Sequence, residues 1–202
     1  MSSKAERTAH AIKRCKAILN PFGDKEVIGV EVGVYGAALS STLLENFPQV
    51  KKLYGVDIYK EGFAGTLTQE KCDGLFDAVK AAMKQFGARW QLFRMDSLEA
   101  ALFLPNGLDF VYLDSNHEKA HLIKEIYAYE KKVRDGGIIG GHDFDNLDYP
   151  GVSVAVQLYA EKFERKLRTD PETLMWYWVV DKTPKKVEKS KKVSRKKKGE
   201  KA

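Results

Sequence analysis

The run VIGVEVGVYG, residues 27–36, is apolar up to Glu31 and then breaks into Gly33 and Gly36. A continuous β-branched run of this length reads as a strand buried on both faces, and the glycines behind it as a tight turn. Strands buried on both faces belong to parallel sheets covered by helices, so helices should alternate with strands on either side. They do. Residues 5–19 place Ala9, Ile12, Cys15 and Ile18 at helical spacing, and Asn20-Pro21-Phe22-Gly23 ends that helix. Helical patterns follow at 40–46, 68–87, 98–103, 118–133 and 152–167. Between them KKLYGVDIY (51–59), WQLFRMDS (90–97), LDFVYLDS (108–115), GGIIGGHDF (136–144) and TLMWYWVVDK (173–182) read as strands. The expected architecture is a three-layer, Rossmann-like α/β sandwich on a mostly parallel sheet.

Charge divides the chain. The net charge is +6, yet residues 182–202 hold 11 Lys/Arg against two acids. Residues 1–181 therefore carry 23 basic and 26 acidic side chains, a net −3. The lysine-rich segment has almost no large apolar side chain, so it is expected to be a disordered tail behind one domain of residues 1–181. A solvated terminus, electrostatic attachment to nucleic acid or an anionic surface, and a targeting signal all remain open for it. Cys15 and Cys72 lie in no metal-like pattern, no 18-residue apolar run is present, and the N-terminus lacks an apolar signal core. A soluble cytoplasmic protein is the expectation.

Ligands of such sheets sit at the carboxyl ends of the strands, and acids stand there. Asp57 ends the second strand, 21 residues past Gly36, the spacing at which an acid accepts from ribose hydroxyls; a turn or cap residue reads equally well. Asp96-Ser97 ends the third strand; Asp96 suits an adenine amino group or a helix N-cap. Asp114 ends the fourth strand and His142-Asp143 the fifth. A glycine turn followed by successive acids suits a nucleoside-type cofactor laid across the sheet edge, with Asp114, His142 and Asp143 as a second cluster.

HEKAH, residues 117–121, matches the zinc-peptidase spacing H-E-x-x-H. A peptidase needs both histidines on one continuous helix, whereas VYLDSN runs straight into His117 and places it at a strand-to-helix turn. The match reads as accidental, and the informative unit becomes Asp114-Ser115-Asn116-His117 paired with His142-Asp143.

EVGVYGAALS, GVDIY, FRMDS, VYLDSNHEKAH and DGGIIGGHDF…GVSVAV, in that order, resemble a class I S-adenosylmethionine-dependent methyltransferase. The similarity runs from Val27 to Asp181. It is greatest to the branch holding macrocin-type sugar O-methyltransferases and relatives of cephalosporin hydroxylase. The resemblance implies seven strands, the last antiparallel, with a short extra strand near residues 166–168. It also implies methyl transfer from S-adenosylmethionine to a small, hydroxyl-bearing acceptor. Glu31, Gly33 and Gly36 would line the methionine part of the cofactor, Asp57 with the adjacent Ile58 the ribose, and Asp96 with Ser97 the adenine, with Asp114 also beside the cofactor. Asp114, His142 and Asp143 would hold a divalent cation, and His117 matches a proposed general base. Tyr35 replaces the middle glycine of the broader superfamily's turn. His142 stands where metal-dependent relatives carry an acid, which leaves Mg2+, Mn2+ and a metal-free site open.

Two other functions compete. A dinucleotide-dependent oxidoreductase would use a similar sheet, but the turn lacks the third glycine of G-x-G-x-x-G. A nucleic-acid-associated protein would work through its basic tail. Tyr59, Phe63 and the Gly62/Gly65 loop read as a lid or a plain loop. Trp176, Tyr177 and Trp178 read as packing of the last strand or as an interface, which leaves a homo-oligomer open.

Overall fold

A computed structural model describes residues 4–63 and 67–183. Gly65 of the expected lid and the lysine-rich segment beyond Thr183 lie outside the described residues. Among the described residues seven strands form one sheet in the order β3-β2-β1-β4-β5-β7-β6. They are β1 (Val27–Val32), β2 (Val50–Asp57), β3 (Trp90–Arg94), β4 (Leu108–Leu113), β5 (Val133–Gly141), β6 (Arg168–Asp170) and β7 (Met175–Val179). The first five pair in parallel, and β7 runs antiparallel to both β5 and β6. β6 is the short strand that the resemblance implied. Among the described residues six α-helices cover the sheet: α1 (Lys4–Leu19), α2 (Ala38–Asn46), α3 (Gln69–Met83), α4 (Ser97–Phe103), α5 (Lys119–Glu130) and α6 (Pro150–Lys162).

Strand alternation builds two cores. Phe110 and Tyr112 of β4 face Cys15, Ile18, Leu43, Val79 and Met83 of α1, α2 and α3. Val111 and Leu113 face Ile126 and Tyr129 of α5, Val152 and Tyr159 of α6, and the buried Trp176 and Trp178. The tryptophans therefore pack the last strand. Their ring N–H groups donate to the His142 carbonyl at 3.2 Å and to Glu130 Oε1 at 2.7 Å. Large rings fill the space above small residues in the neighbouring strand. A Cβ on Gly29 would stand 2.2 Å from the Phe110 ring, and one on Gly55 2.2 Å from Trp90.

Element ends depart from the sequence reading where a local conformation intervenes. The helix expected over 68–87 stops at Met83 and continues as 3-10 turns through Gly87, whose φ of +54° suits glycine. The third strand ends at Arg94 rather than Ser97, because Asp96 caps α4 and Ser97 already belongs to that helix. No helix among the described residues is long and apolar enough to cross a membrane.

Candidate functional site

The carboxyl ends of β1, β4 and β5 are held at one level by backbone hydrogen bonds. Gly33 N–H donates to Val56 O at 2.8 Å, Asp114 N–H to Val32 O at 2.7 Å, and His142 N–H to Leu113 O at 3.1 Å. Gly33 has φ +92°, and a Cβ there would lie 2.0 Å from the Asp114 carbonyl oxygen. This glycine is what lets the first turn pass beside the fourth strand end. Gly36 differs: a Cβ on it meets nothing within 4 Å, so its bare backbone borders open space.

Glu31 is buried at the end of β1 and accepts from the Ser40 hydroxyl. Burial pushes its carboxyl up to about 8, with Asp114 adding to the rise, while Ser40 and Arg14 oppose it. Arg14, on α1, reaches this edge from outside the sheet. Burial works against its charge, yet Tyr112, Asp114 and Glu31 hold its pKa above the ordinary value.

Asp57 knits two turns together. Its Oδ2 accepts from Tyr35 N–H at 2.8 Å and its Oδ1 from Tyr59 N–H at 2.9 Å. The Tyr59 hydroxyl closes the loop by donating to Tyr35 O at 2.9 Å. The turn role is thus present, and each carboxylate oxygen keeps capacity for one further donor such as a ribose hydroxyl. Ile58 follows, half-buried. Tyr59 is buried, with its ring edge-on to Phe76 at 5.4 Å; in the segment read as a lid, Phe63 is an exposed aromatic. Asp96 Oδ1 accepts from Leu98 N–H at 2.9 Å and Glu99 N–H at 3.3 Å, the N-cap of the short helix α4. Ser97 Oγ lies 3.2 Å from His121 Nε2.

The second cluster is compact. Ligand atoms of Asp114, His117 and Asp143 all lie within 4.8 Å of one another. His117 Nε2 stands 2.8 Å from Asp143 Oδ2 and 3.7 Å from Asp114 Oδ1. His142 Nδ1 stands 3.1 Å from Asp143 Oδ1 and 3.8 Å from Asp114 Oδ1. Asn146 Nδ2 donates to Asp143 Oδ1 at 2.6 Å, and Tyr149 stacks on the His117 ring with centroids 3.9 Å apart. The buried His117 Nε2 makes no hydrogen bond of good geometry, despite its short distance to Asp143. One nitrogen and two carboxylates brought this close are a donor set that a divalent cation could use.

Charge follows from this crowding. Burial pulls the His117 pKa down, but the two carboxylates outweigh it and lift the imidazole to about 9. Burial would raise Asp143, yet the His117 and His142 imidazoles and the Asn146 amide beside it hold its carboxyl well below the usual range. At neutral pH the cluster therefore stores a proton on His117 where a cation would fit.

The two histidines of HEKAH engage different partners. His121 Nε2 faces Ser97 and Glu125, whereas His117 Nε2 faces Asp143 and Asp114. Glu118 is exposed at the N-cap position of α5. They do not share a zinc-peptidase centre.

A protein family described as a methyltransferase domain matches residues 27–144, more than half of the chain and all of this sheet edge up to Phe144. The chain belongs to this methyltransferase family. An uncharacterized protein of Acanthamoeba polyphaga mimivirus is 27% identical over 146 residues, 69% of this chain and 62% of that protein. The chain thus spans less than two thirds of the length of this curated relative. The solved O-methyltransferase NovP matches with a TM-score of 0.65 at 14% identity, over 85% of this chain and 80% of its own. CalS11, a TDP-rhamnose 3'-O-methyltransferase of calicheamicin biosynthesis, matches with a TM-score of 0.58 at 17% identity, over 83% of this chain and 78% of its own. These likenesses show the methyltransferase fold.

Four participants in this methyltransferase domain escaped the sequence reading: Arg14, Asn146, Tyr149 and Glu125. Asn146 and Tyr149 lie beyond Phe144, in the turns before α6, where neither a strand end nor a glycine marks them. Glu125 carried a signal, an acid on the helix face shared by Leu122, Ile126 and Tyr129. Arg14 carried none, because only the packing of α1 brings it to the edge.

Proposed function

We propose that this chain transfers a methyl group from S-adenosylmethionine to a hydroxyl of a small-molecule acceptor, assisted by a divalent cation. The observation that carries the proposal is the convergence of Asp114, His117 and Asp143 beside Glu31 and Asp57, at the sheet edge of a methyltransferase-family domain. The O-methyltransferase likenesses support a hydroxyl acceptor.

The residues suit this cofactor. The open space beside Gly36 admits a ligand against the backbone. Glu31 would meet the methionine ammonium, whose charge favours the ionised carboxyl. Asp57 and Ile58 would border the ribose. Asp96, through the oxygen its cap leaves free, and Ser97 would border the adenine. S-adenosylmethionine supplies the electrophilic methyl on a sulfonium. A cation would supply Lewis acidity to lower the acceptor hydroxyl's pKa. Asp114, Asp143 and His117 are its ligands in this reading, and His142 orients Asp143 and stands next in line as a fourth. Two carboxylates with imidazole form a softer set than all-oxygen sites, which favours Mn2+ over Mg2+.

His117 has two exclusive roles here. A nitrogen holding a cation takes no proton, and an imidazole with a pKa of about 9 is already protonated at pH 7 in the free site. The geometry therefore favours His117 as ligand over His117 as general base. Alignment of the acceptor oxygen with the methyl group is the remaining task of the edge.

Calorimetry with S-adenosylmethionine and with NAD separates methyl transfer from hydride transfer; binding of NAD alone would refute the proposal. Asp114→Ala and Asp143→Ala should abolish product formation, read by mass spectrometry, while cofactor affinity stays within a few-fold. Full activity after EDTA treatment would remove the cation. The nucleic-acid reading is tested by deleting residues 183–202, which would abolish nucleic-acid binding in that reading and should leave methyl transfer intact in this one.

A further inference from the structure

Helix α5 carries His121, Glu125 and Tyr129 at four-residue spacing, one stripe along its face. Each reaches a strand-end turn or a stripe neighbour rather than the metal cluster. The Tyr129 hydroxyl donates to the Ser97 carbonyl at 2.7 Å. His121 Nε2 stands 3.2 Å from Ser97 Oγ and 3.3 Å from Glu125 Oε1. The same Glu125 oxygen accepts from the Ser115 hydroxyl at 2.6 Å. Glu125 is fully buried, and its second oxygen, Oε2, is buried without a hydrogen-bond partner.

Packing alone does not explain this acid. A leucine or methionine would fill the same volume without desolvating a carboxylate. With the His121 proton on Nε2, the hydrogen-bond roles along the chain follow. A carboxylate only accepts, so the proton between His121 and Glu125 sits on Nε2. That Nε2–H also faces Ser97 Oγ, which therefore accepts on its inner side and keeps its own proton for an outward acceptor. The hydrogen bond to Glu125 holds His121 above its ordinary pKa, against burial and Lys124 and with help from Asp96.

We infer that His121 and Glu125 are positioning residues that lock the Ser97 and Ser115 turns and fix the Ser97 hydroxyl as an outward donor at the adenine end of the cofactor site. This rests on the cofactor reading proposed above. His121 acts through Ser97, and Glu125 acts through His121 and Ser115.

The test is a double-mutant cycle on the full chain, reading the Kd for S-adenosylhomocysteine by calorimetry. His121→Gln and Ser97→Ala should each weaken binding about tenfold, the scale of one lost hydrogen bond. In the Ser97→Ala background, His121→Gln should add less than about twofold, because its route to the cofactor is already cut. Mn2+ affinity, read by electron paramagnetic resonance, should stay within about twofold in His121→Gln, since the metal cluster is separate. Glu125→Gln should reproduce the His121→Gln loss; if that variant does not fold, the His121–Ser97 cycle decides alone. Undiminished affinity in His121→Gln, or the same tenfold loss in both backgrounds, would overturn the inference. A wild-type protein that does not bind S-adenosylhomocysteine at all would instead overturn the cofactor reading beneath it.

Discussion

Replacing His117 with asparagine should remove a pH-dependent part of the protein's stability. The folded imidazole titrates at about 9, against roughly 6.5 in an unfolded chain. A group whose pKa rises on folding stabilises the protein fully below its unfolded pKa, and that contribution disappears as pH climbs through the folded value. Here the window runs from about 6.5 to about 9. The integrated contribution is about 3 kcal/mol at pH 6. Screening trims it little, because the His117 ring is 27% exposed and Asp143 is 7% exposed. The depressed pKa of Asp143 reports the same ion pair from the other side, so it is not added. Urea denaturation with chelator present, at pH 6 and at pH 9.5, measures the effect. Wild type and His117→Asn should differ by about 3 kcal/mol at pH 6 and converge at pH 9.5. A gap of equal size at both values would refute the reasoning. His117 would then act by stacking on Tyr149, whose ring lies 3.9 Å away, and not by its charge.

Four further outcomes follow from the same edge. Mn2+ binding at pH 7 should release about one proton, read as calorimetric heats in buffers of different ionisation enthalpy; zero release would remove His117 from the ligand set. Gly33→Ala should cost more than about 3 kcal/mol or prevent folding, because its Cβ collides with the Asp114 carbonyl at positive φ. Gly36→Ala should fold normally and lose cofactor affinity; equal thermal stability losses in the two variants would contradict this assignment of roles. Tyr35→Gly should stabilise the fold by about 1 kcal/mol, since Tyr35 holds φ +46°; a destabilised variant would show that the ring packs usefully.

Much of the architecture was legible because parallel strands announce themselves by composition. Apart from Glu31 and Asp109, Val27–Val32 and Leu108–Leu113 are apolar on both faces, and no surface strand needs to be. The acids at the strand ends were legible as positions but not as roles. Asp96 turned out to cap α4, and Asp57 to tie Tyr35 to Tyr59; both tasks depend on turn geometry that a sequence does not carry. The pairing of His117 with Asp143 crosses from β4 to β5, so it exists only once the strands are in register. His121 looked like a bystander because its partners, Ser97 and Glu125, lie on a different turn and deeper in its own helix.

The strained residues show what the polar ties are for. Tyr35, Ala37, Tyr59, Asp143 and Asp145 are non-glycine residues with positive φ, and all lie in the turns that follow β1, β2 and β5 at the carboxyl edge. Left-handed backbone at such residues costs about 1 kcal/mol or more each, so each turn needs a compensating interaction. Asp57 with Tyr59 holds the first two turns. His117, His142 and Asn146 on Asp143, with Ser153 on Asp145, hold the third. The groups proposed to bind cofactor and cation are therefore the same groups that keep the turns in place before either arrives. Such a site is preorganised, so binding would need little rearrangement. It is also brittle, because a substitution at Asp57 or Asp143 removes a ligand contact and releases backbone strain together. Variants of Asp57 should lose cofactor affinity, and variants of Asp143 cation affinity, by more than one contact's worth, and a conservative Asp57→Asn, which keeps one acceptor and loses the other, should fall between wild type and Asp57→Ala in both stability and cofactor affinity.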